Sequence, residues 1–216
     1  MTGAGPLVFV VDDDPSVREA TGSLLRSVGI DAVEVPHARA YLEHPRRGEA
    51  RCLILDVRMP GLSGLELQRE VNLDDDAPPI VFVTGHGDIP MAVRAMKLGA
   101  VEFLAKPFRE HDLLDAVEHA VRLAERTRTE RAAARTVRDR LDGLTERERE
   151  VLDFVVAGRL NKQIGAALGV SEQTVKVHRH NLMRKMEASS LPDLVRMVEL
   201  LRGPARLDTS SIDEPR

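Results

Sequence analysis

A five-stranded, doubly wound parallel sheet followed by a small all-α unit is the architecture this sequence predicts. Three observations predict it. Five short apolar runs alternate with amphipathic segments over the first ~120 residues, which is the pattern of repeated strand–helix units. Those runs are nearly continuous in apolar residues, as expected of strands covered on both faces. From about residue 144 the apolar residues recur at helical spacing between recognisable caps.

The strands are expected at Leu7–Val11, Ile30–Val35, Cys52–Leu55, Ile80–Val83 and Val101–Ala105. Amphipathic helices are expected near 15–27, 38–44, 63–72 and 89–97, with another beginning near Glu110. From Val117 to about Leu141 the chain is rich in Ala and Arg and has no Pro. It reads as the last helix of the first unit running on into a helical linker, with a flexible charged tether as the alternative. Beyond it, Thr145 and Glu148 form a capping box ahead of a helix that Gly158 can close. A short helix over "NKQIGAALG" ends at Gly169, and Ser171 N-caps "EQTVKVHRHNLMRKM". A fourth helix carries Pro192 in its first turn, where a missing N–H costs nothing, and ends at Gly203. The expected organisation is residues 1–121, a linker over 122–142, the helical domain over 143–203 and a disordered tail over 204–216.

Composition narrows the function classes. The 216 residues are 43% hydrophobic and 31% charged, which suits a globular chain with ordinary cores. There is no Trp and one Tyr, so those cores are aliphatic. No apolar run reaches the ~20 residues of a membrane helix, and the N-terminus lacks the basic start of a secretory signal. The single cysteine, Cys52, excludes an internal disulfide, suits a reducing cytoplasm and reads as a buried inert thiol. Residues 1–121 carry 20 acids and 12 Lys/Arg, residues 122–216 carry 15 and 19. An acidic first half and a basic second half hint at a polyanionic partner for the second.

Parallel sheets of this kind bind ligands at the carboxyl ends of their strands. Strand one ends in Asp12 and Asp13, strand three in Asp56, strand four in Thr84 and strand five in Lys106–Pro107. Crowded carboxylates repel, by roughly 4 kcal/mol for a pair ~4 Å apart at an effective dielectric near 20, so either water or a cation must make the cluster tolerable. An oxygen-only set of Asp side chains suits Mg²⁺. Asp56 can attack a phosphoryl group, Lys106 can neutralise its oxygens, and the Thr84 hydroxyl can hydrogen-bond one of them. The bland alternative is an exposed acidic turn. The histidines His37, His44, His86, His111 and His119 share no ligand spacing.

The segments "VVDDDPSVREA", "LILDVRMPGLSGLEL", "IVFVTGHGDIPMAVRAMKLGA" and "VEFLAKPF" resemble the receiver domain of two-component response regulators, a flavodoxin-like fold, and most of all the FixJ branch. The resemblance covers nearly all of residues 7–121. It implies Asp56 as phosphoacceptor and Mg²⁺ held by Asp13, Asp56 and the backbone carbonyl of Arg58, with Asp12 acting mostly through water. It implies Asp14 facing solvent, Thr84 and Phe103 as a switch pair, and a cis Lys106–Pro107 bond. It further implies phosphorylation by a cognate sensor histidine kinase, since the chain carries no nucleotide-binding loop, and homodimerisation through roughly Pro90–Phe103.

At 100° per residue, Val175, His178, Arg179, Leu182 and Met186 share the inner side of the third helix of the second half. Gln173, Lys176, Val177, His180, Asn181 and Arg184 share the other. A basic, amide-bearing face with one apolar residue can read the major groove: Lys to guanine, Asn or Gln to adenine, Val to a thymine methyl. Lys162 and Arg184 are phosphate-contact candidates. A solvated helix in a protein-binding bundle is the alternative. The run from Leu144 to Met186 resembles the NarL/LuxR-type helix-turn-helix, a four-helix DNA-binding domain in which the residues at Lys176, Val177 and His180 face bases. His180 departs from the Lys frequent there. Together the halves resemble a response regulator, not an enzyme, that binds promoter DNA and works with RNA polymerase. Two other readings are a phosphohydrolase of the haloacid-dehalogenase type, using Asp12 with Asp14 as acid, and an adaptor whose helical half binds protein.

Overall fold

The structure is a computed structural model that describes residues 5–74, 76–85 and 89–202. His86, Gly203 and the expected tail over 204–216 lie outside the described residues. The chain forms two compact units that divide between Arg128 and Thr129.

The first unit contains β1 (Leu7–Val11), α1 (Pro15–Ser27), β2 (Asp31–Val35), α2 (Ala38–Leu42), β3 (Ala50–Asp56), α3 (Gly64–Val71), β4 (Ile80–Thr84), α4 (Ile89–Lys97) and β5 (Glu102–Ala105). α5 (Glu110–Asp142) begins in it. The sheet has the order β2-β1-β3-β4-β5 and every pairing is parallel. Alternate strand residues point to opposite faces. Phe9, Val11, Leu53, Leu55 and Phe82 pack against α2–α4 through Tyr41, Leu67, Val71 and Ala95. Val8, Val10, Cys52, Ile54, Val81 and Val83 pack against α1 and α5 through Leu25, Leu113, Val117 and Ala120. Burial pushes the Cys52 thiol pKa far up, so it is an inert core group.

Continuous burial holds for the inner strands β1, β3 and β4, apart from half-buried Arg51, but not for β2, which is mostly half-buried, or β5, whose residues are half-buried or exposed. β2 and β5 are the edges, covered less completely than the centre of the sheet. The expectation of two covered faces therefore fails for both edge strands. The Lys106–Pro107 bond is cis.

Residues 122–142 are helical throughout as part of α5, which replaces the flexible tether. The second unit adds α6 (Glu146–Val156), α7 (Asn161–Leu168), α8 (Glu172–Met186) and α9 (Leu191–Arg202). Val137, Leu144, Val151, Val155, Ile164, Val175, Leu182, Met186 and Leu194 form its core. The Thr145 capping box is present, with Thr145 N donating to Glu148 Oε2 at 2.8 Å and Glu148 N to Thr145 Oγ1 at 3.3 Å. Gly169 ends α7 at φ +68° and Ser171 Oγ accepts from Thr174 N at 3.0 Å.

Gly64 starts α3 against the end of β3. A Cβ there would lie 2.2 Å from the Asp56 carbonyl oxygen. Gly64→Ala is expected to destabilise the chain by about 1–3 kcal/mol through overpacking. Urea denaturation measures this, and an unchanged midpoint would show that α3 moves away at no cost.

Candidate functional site

The strands deliver their terminal side chains to one rim. β1 hands the chain to Asp12, β3 ends in Asp56 and β4 in Thr84, and all three are buried. Lys106 follows β5, its backbone N–H donating to the Thr84 carbonyl at 2.8 Å. Its ammonium bridges two carboxylates, 2.6 Å from Asp12 Oδ2 and 2.8 Å from Asp56 Oδ2. The other oxygens are held by backbone: Asp14 N donates to Asp12 Oδ1 at 2.9 Å, and Arg58 N to Asp56 Oδ1 at 3.1 Å. Asp12, Asp13 and Asp56 each offer an oxygen within 4.8 Å of the others, and among the described residues no other group of His, Cys, Asp and Glu does so.

The electrostatics follow from this crowding. Burial raises the Asp12 pKa above its ordinary value, and the Asp56 charge adds to this, while Lys106 and the Asp14 amide pull the other way. Burial lowers the Lys106 pKa, but its bonds to Asp12 and Asp56 outweigh that and raise it above the ordinary value. A lysine held charged next to three carboxylates leaves the cluster net acidic. The donor set is all oxygen, with Asp13 exposed to solvent, and this fits Mg²⁺, which keeps waters and takes one or two carboxylates. Asp12, Asp13 and Asp56 thus form a candidate Mg²⁺ site.

Some roles were not evident from sequence. Arg18, on α1, donates from Nη1 to the Asp12 carbonyl at 2.7 Å and holds the end of β1. Asp14 is exposed, as expected, and also N-caps α1, its Oδ1 accepting from Ser16 N at 2.8 Å. Asp followed by Pro at the helix start was the available signal. Phe103 is half-buried, with its ring centroid 6.2 Å from that of Phe82 and no bond to the acidic cluster. His37 caps α2 through Nδ1, and His44 accepts from Arg46 N while its ring edges Phe9. Among the described residues neither belongs to a group of His, Cys, Asp and Glu that could hold a metal ion.

In the second unit, Gln173, Lys176, Val177, His180 and Arg184 are exposed along α8, as is Lys162 on α7. Asn181 is half-buried, so it presents less of its amide than the helical wheel suggests. Val175, Leu182 and Met186 are fully buried on the inner side. Arg179 turns inward and donates to Asn161 Oδ1 at 3.0 Å, joining α8 to α7. A Cβ on Gly165 would lie 2.8 Å from the Val170 carbonyl, which is how closely the α7–α8 turn folds back.

Glu148 anchors α8 from below: Lys185 Nζ donates to its Oε2 at 2.7 Å. Burial would raise the Glu148 pKa, but the bonds from Lys185 and Thr145 overcome this and lower it from its ordinary 4.5. A depressed carboxyl contributes stability that is present above the unfolded pKa and lost as pH falls through the folded one. Glu148→Gln is therefore expected to destabilise the helical unit at neutral pH by about 1–3 kcal/mol. It should also flatten the stability loss below pH 4.5. Thermal denaturation between neutral and acidic pH checks both, and a parallel acid limb would remove Glu148 as the cause.

A flavodoxin-like sheet with an acidic rim, fused to a helix-turn-helix unit, defines the class of two-component response regulators. Residues 8–118 match the response regulator receiver domain, and residues 142–198 match the luxR family of bacterial regulatory proteins. The response regulator protein TodT of Pseudomonas putida is 46% identical, over 94% of this chain and 89% of its own. The transcriptional regulatory protein FixJ of Azorhizobium caulinodans is 46% identical, over 94% and 96%. Among solved structures, the response regulator StyR superposes with a TM-score of 0.80 at 52% identity, over 91% of this chain and 99% of that one. The chain belongs to the FixJ branch of the NarL/LuxR family of response regulators. It is a DNA-binding response regulator whose receiver bears a candidate Asp/Mg²⁺ phosphoacceptor cluster, and its family implies a cognate kinase and a DNA partner. Membership sets aside the phosphohydrolase and the adaptor. Among the described residues no helix is long and apolar enough to cross a membrane.

Proposed function

We propose that Asp56 is the phosphoacceptor of a transcription regulator whose receiver spans residues 1–121, its linker 122–142 and its DNA reader 143–203. The observation that carries this reading is the convergence of Asp12, Asp13, Asp56 and Lys106 on one rim. A carboxylate oxygen of Asp56 attacks the phosphorus of a phosphohistidine on the sensor kinase. The P–N bond breaks and an acyl phosphate forms. Lys106 turns from Asp56 to the phosphoryl oxygens, and the Thr84 hydroxyl bonds one of them. Asp12, Asp13, Asp56 and the Arg58 carbonyl would hold Mg²⁺, which supplies charge neutralisation of the phosphoryl group.

The phosphoryl group adds roughly −1.5 to −2 charge and biases the Thr84–Phe103 pair. Ile89, Val93 and Met96 are exposed at i, i+4 and i+7 on α4, an apolar stripe suited to covering by a second copy. Dimerisation there brings two α8 helices to paired half-sites about one helical turn apart. Lys176, Val177 and His180 read base edges, Gln173 and Asn181 assist, and Lys162 and Arg184 hold phosphates. RNA polymerase is the downstream partner.

The test is incubation with acetyl phosphate and Mg²⁺, followed by intact mass and by titration of duplex DNA at several salt concentrations. One added phosphoryl group, with tighter, salt-dependent DNA binding, is the expected result. A folded protein that takes up phosphate without any change in DNA binding would overturn the coupling.

A further inference from the structure

The carboxyl end of α8 is held by an unusual set of bonds. Glu187 follows the helix at φ +53°, and it is the one non-glycine with positive φ among the described residues. Its N–H donates to the Arg184 carbonyl at 3.2 Å, and Ala188 N donates to the Met183 carbonyl at 3.0 Å. This is the left-handed helix ending at which glycine is the ordinary occupant, because a Cβ is strained there. Glycine, however, has no carboxylate. The Glu187 carboxylate pairs with Arg140, in the last turn of α5. From Nη1 the same guanidinium donates to the Met186 carbonyl at 3.1 Å, the last of α8.

Lys185 adds a second tie one residue earlier. It donates to the Gly143 carbonyl at 3.2 Å and to Glu148 at 2.7 Å. Both ties reach the segment where α5 gives way to α6. The residues proposed to face bases, Lys176, Val177 and His180, lie in the first half and at the middle of α8. Lys176 is ten residues from Met186, about 15 Å along the axis, so a pivot of about 10° at the carboxyl end displaces it by about 2.6 Å. That is close to the whole length of a hydrogen bond to a base.

We propose that Arg140 is a positioning residue for DNA reading: its clasp on Glu187 and Met186 fixes the pitch of α8 and makes the end of the linker helix and the recognition helix one mechanical piece. The proposal rests on the reading of α8 as the recognition helix. Arg140 touches no base in this arrangement. It acts through the angle at which Lys176, Val177 and His180 are presented. An exposed ion pair contributes little to stability. Its effect should appear in DNA affinity.

The test compares the full-length parent with Arg140→Gln, Glu187→Gly, the double variant and Lys176→Ala. Each is treated with acetyl phosphate and Mg²⁺ and titrated against a duplex enriched from a random-sequence pool with the parent. Glu187→Gly relieves the left-handed strain, so its melting temperature should equal or exceed that of the parent. Its DNA affinity should nevertheless fall about three- to tenfold, as should that of Arg140→Gln. The double variant should be no weaker than either single one, because both remove the same clasp. The salt dependence of binding should keep the parental slope, since no phosphate contact is lost.

Parental affinity in Glu187→Gly, or additive losses in the double variant, would overturn the clasp. A shallower salt slope in Arg140→Gln would do so too, by making Arg140 a phosphate contact. Lys176→Ala separates the two levels. If it alone leaves affinity unchanged, α8 is not the reader. If it weakens binding while both clasp variants match the parent, the reader stands and the clasp fails.

Discussion

Asp56→Asn is expected to gain no mass with acetyl phosphate and Mg²⁺ and to bind DNA at the level of the unphosphorylated parent under all conditions. Asn keeps the shape of the side chain and its Oδ1 can still accept the Arg58 amide, 3.1 Å away in the parent. What it loses is the carboxylate proposed as nucleophile, and removing a nucleophile lowers a reaction rate by at least about a thousandfold. The fold should not suffer. Three carboxylates with oxygens within 4.8 Å become two; the amide nitrogen in place of Oδ2 cannot accept from Lys106, but the ammonium keeps Asp12 at 2.6 Å, so the melting temperature should stay close to that of the parent. This separates loss of chemistry from loss of structure. A phosphoryl group still appearing on the folded variant would move the acceptor to a neighbour, with Asp12 and Asp13 the nearest carboxylates.

Legibility in the sequence followed the strength of the local signal. The inner strands could be read because both faces are buried and every residue must be apolar. Parallel strands all end on the same side of the sheet, which is why Asp12, Asp56 and Thr84 can be placed together from the sequence. β5 was read one residue too long and too buried, since an edge strand tolerates Glu102 and the apolar pattern loses meaning there. Arg18 was missed for a different reason. Its target is a backbone carbonyl, and nothing in a sequence marks a carbonyl as needing a donor. The same holds for Arg140 and the carbonyl of Met186. Capping residues were legible at Thr145 and Ser171, where donor and acceptor lie three residues apart. The left-handed Glu187 was not, because sequence rules expect glycine at that position.

Lys176→Ala should lower affinity for the enriched duplex by about 1–3 kcal/mol, roughly five- to a hundred-and-fiftyfold, and leave mass gain with acetyl phosphate unchanged. Lys176 is exposed and 3.5 Å from Glu172, one turn earlier on the same helix. Such a surface pair is worth no more than about 0.5 kcal/mol, so the ammonium leaves it for a guanine at little cost. The adjacent Val177 is half-exposed and offers a methyl contact beside that bond. Lys162→Ala provides the contrast. A phosphate contact carries no sequence information, so its loss should weaken all duplexes alike and reduce the salt slope by about 1. Lys176→Ala should instead relax the preference at one base pair. If both variants weaken all sequences equally, α8 lies against the backbone and base readout belongs to another face of the unit. If Lys176→Ala alone changes which duplexes are selected, the exposed side of α8 is the surface that chooses the promoter.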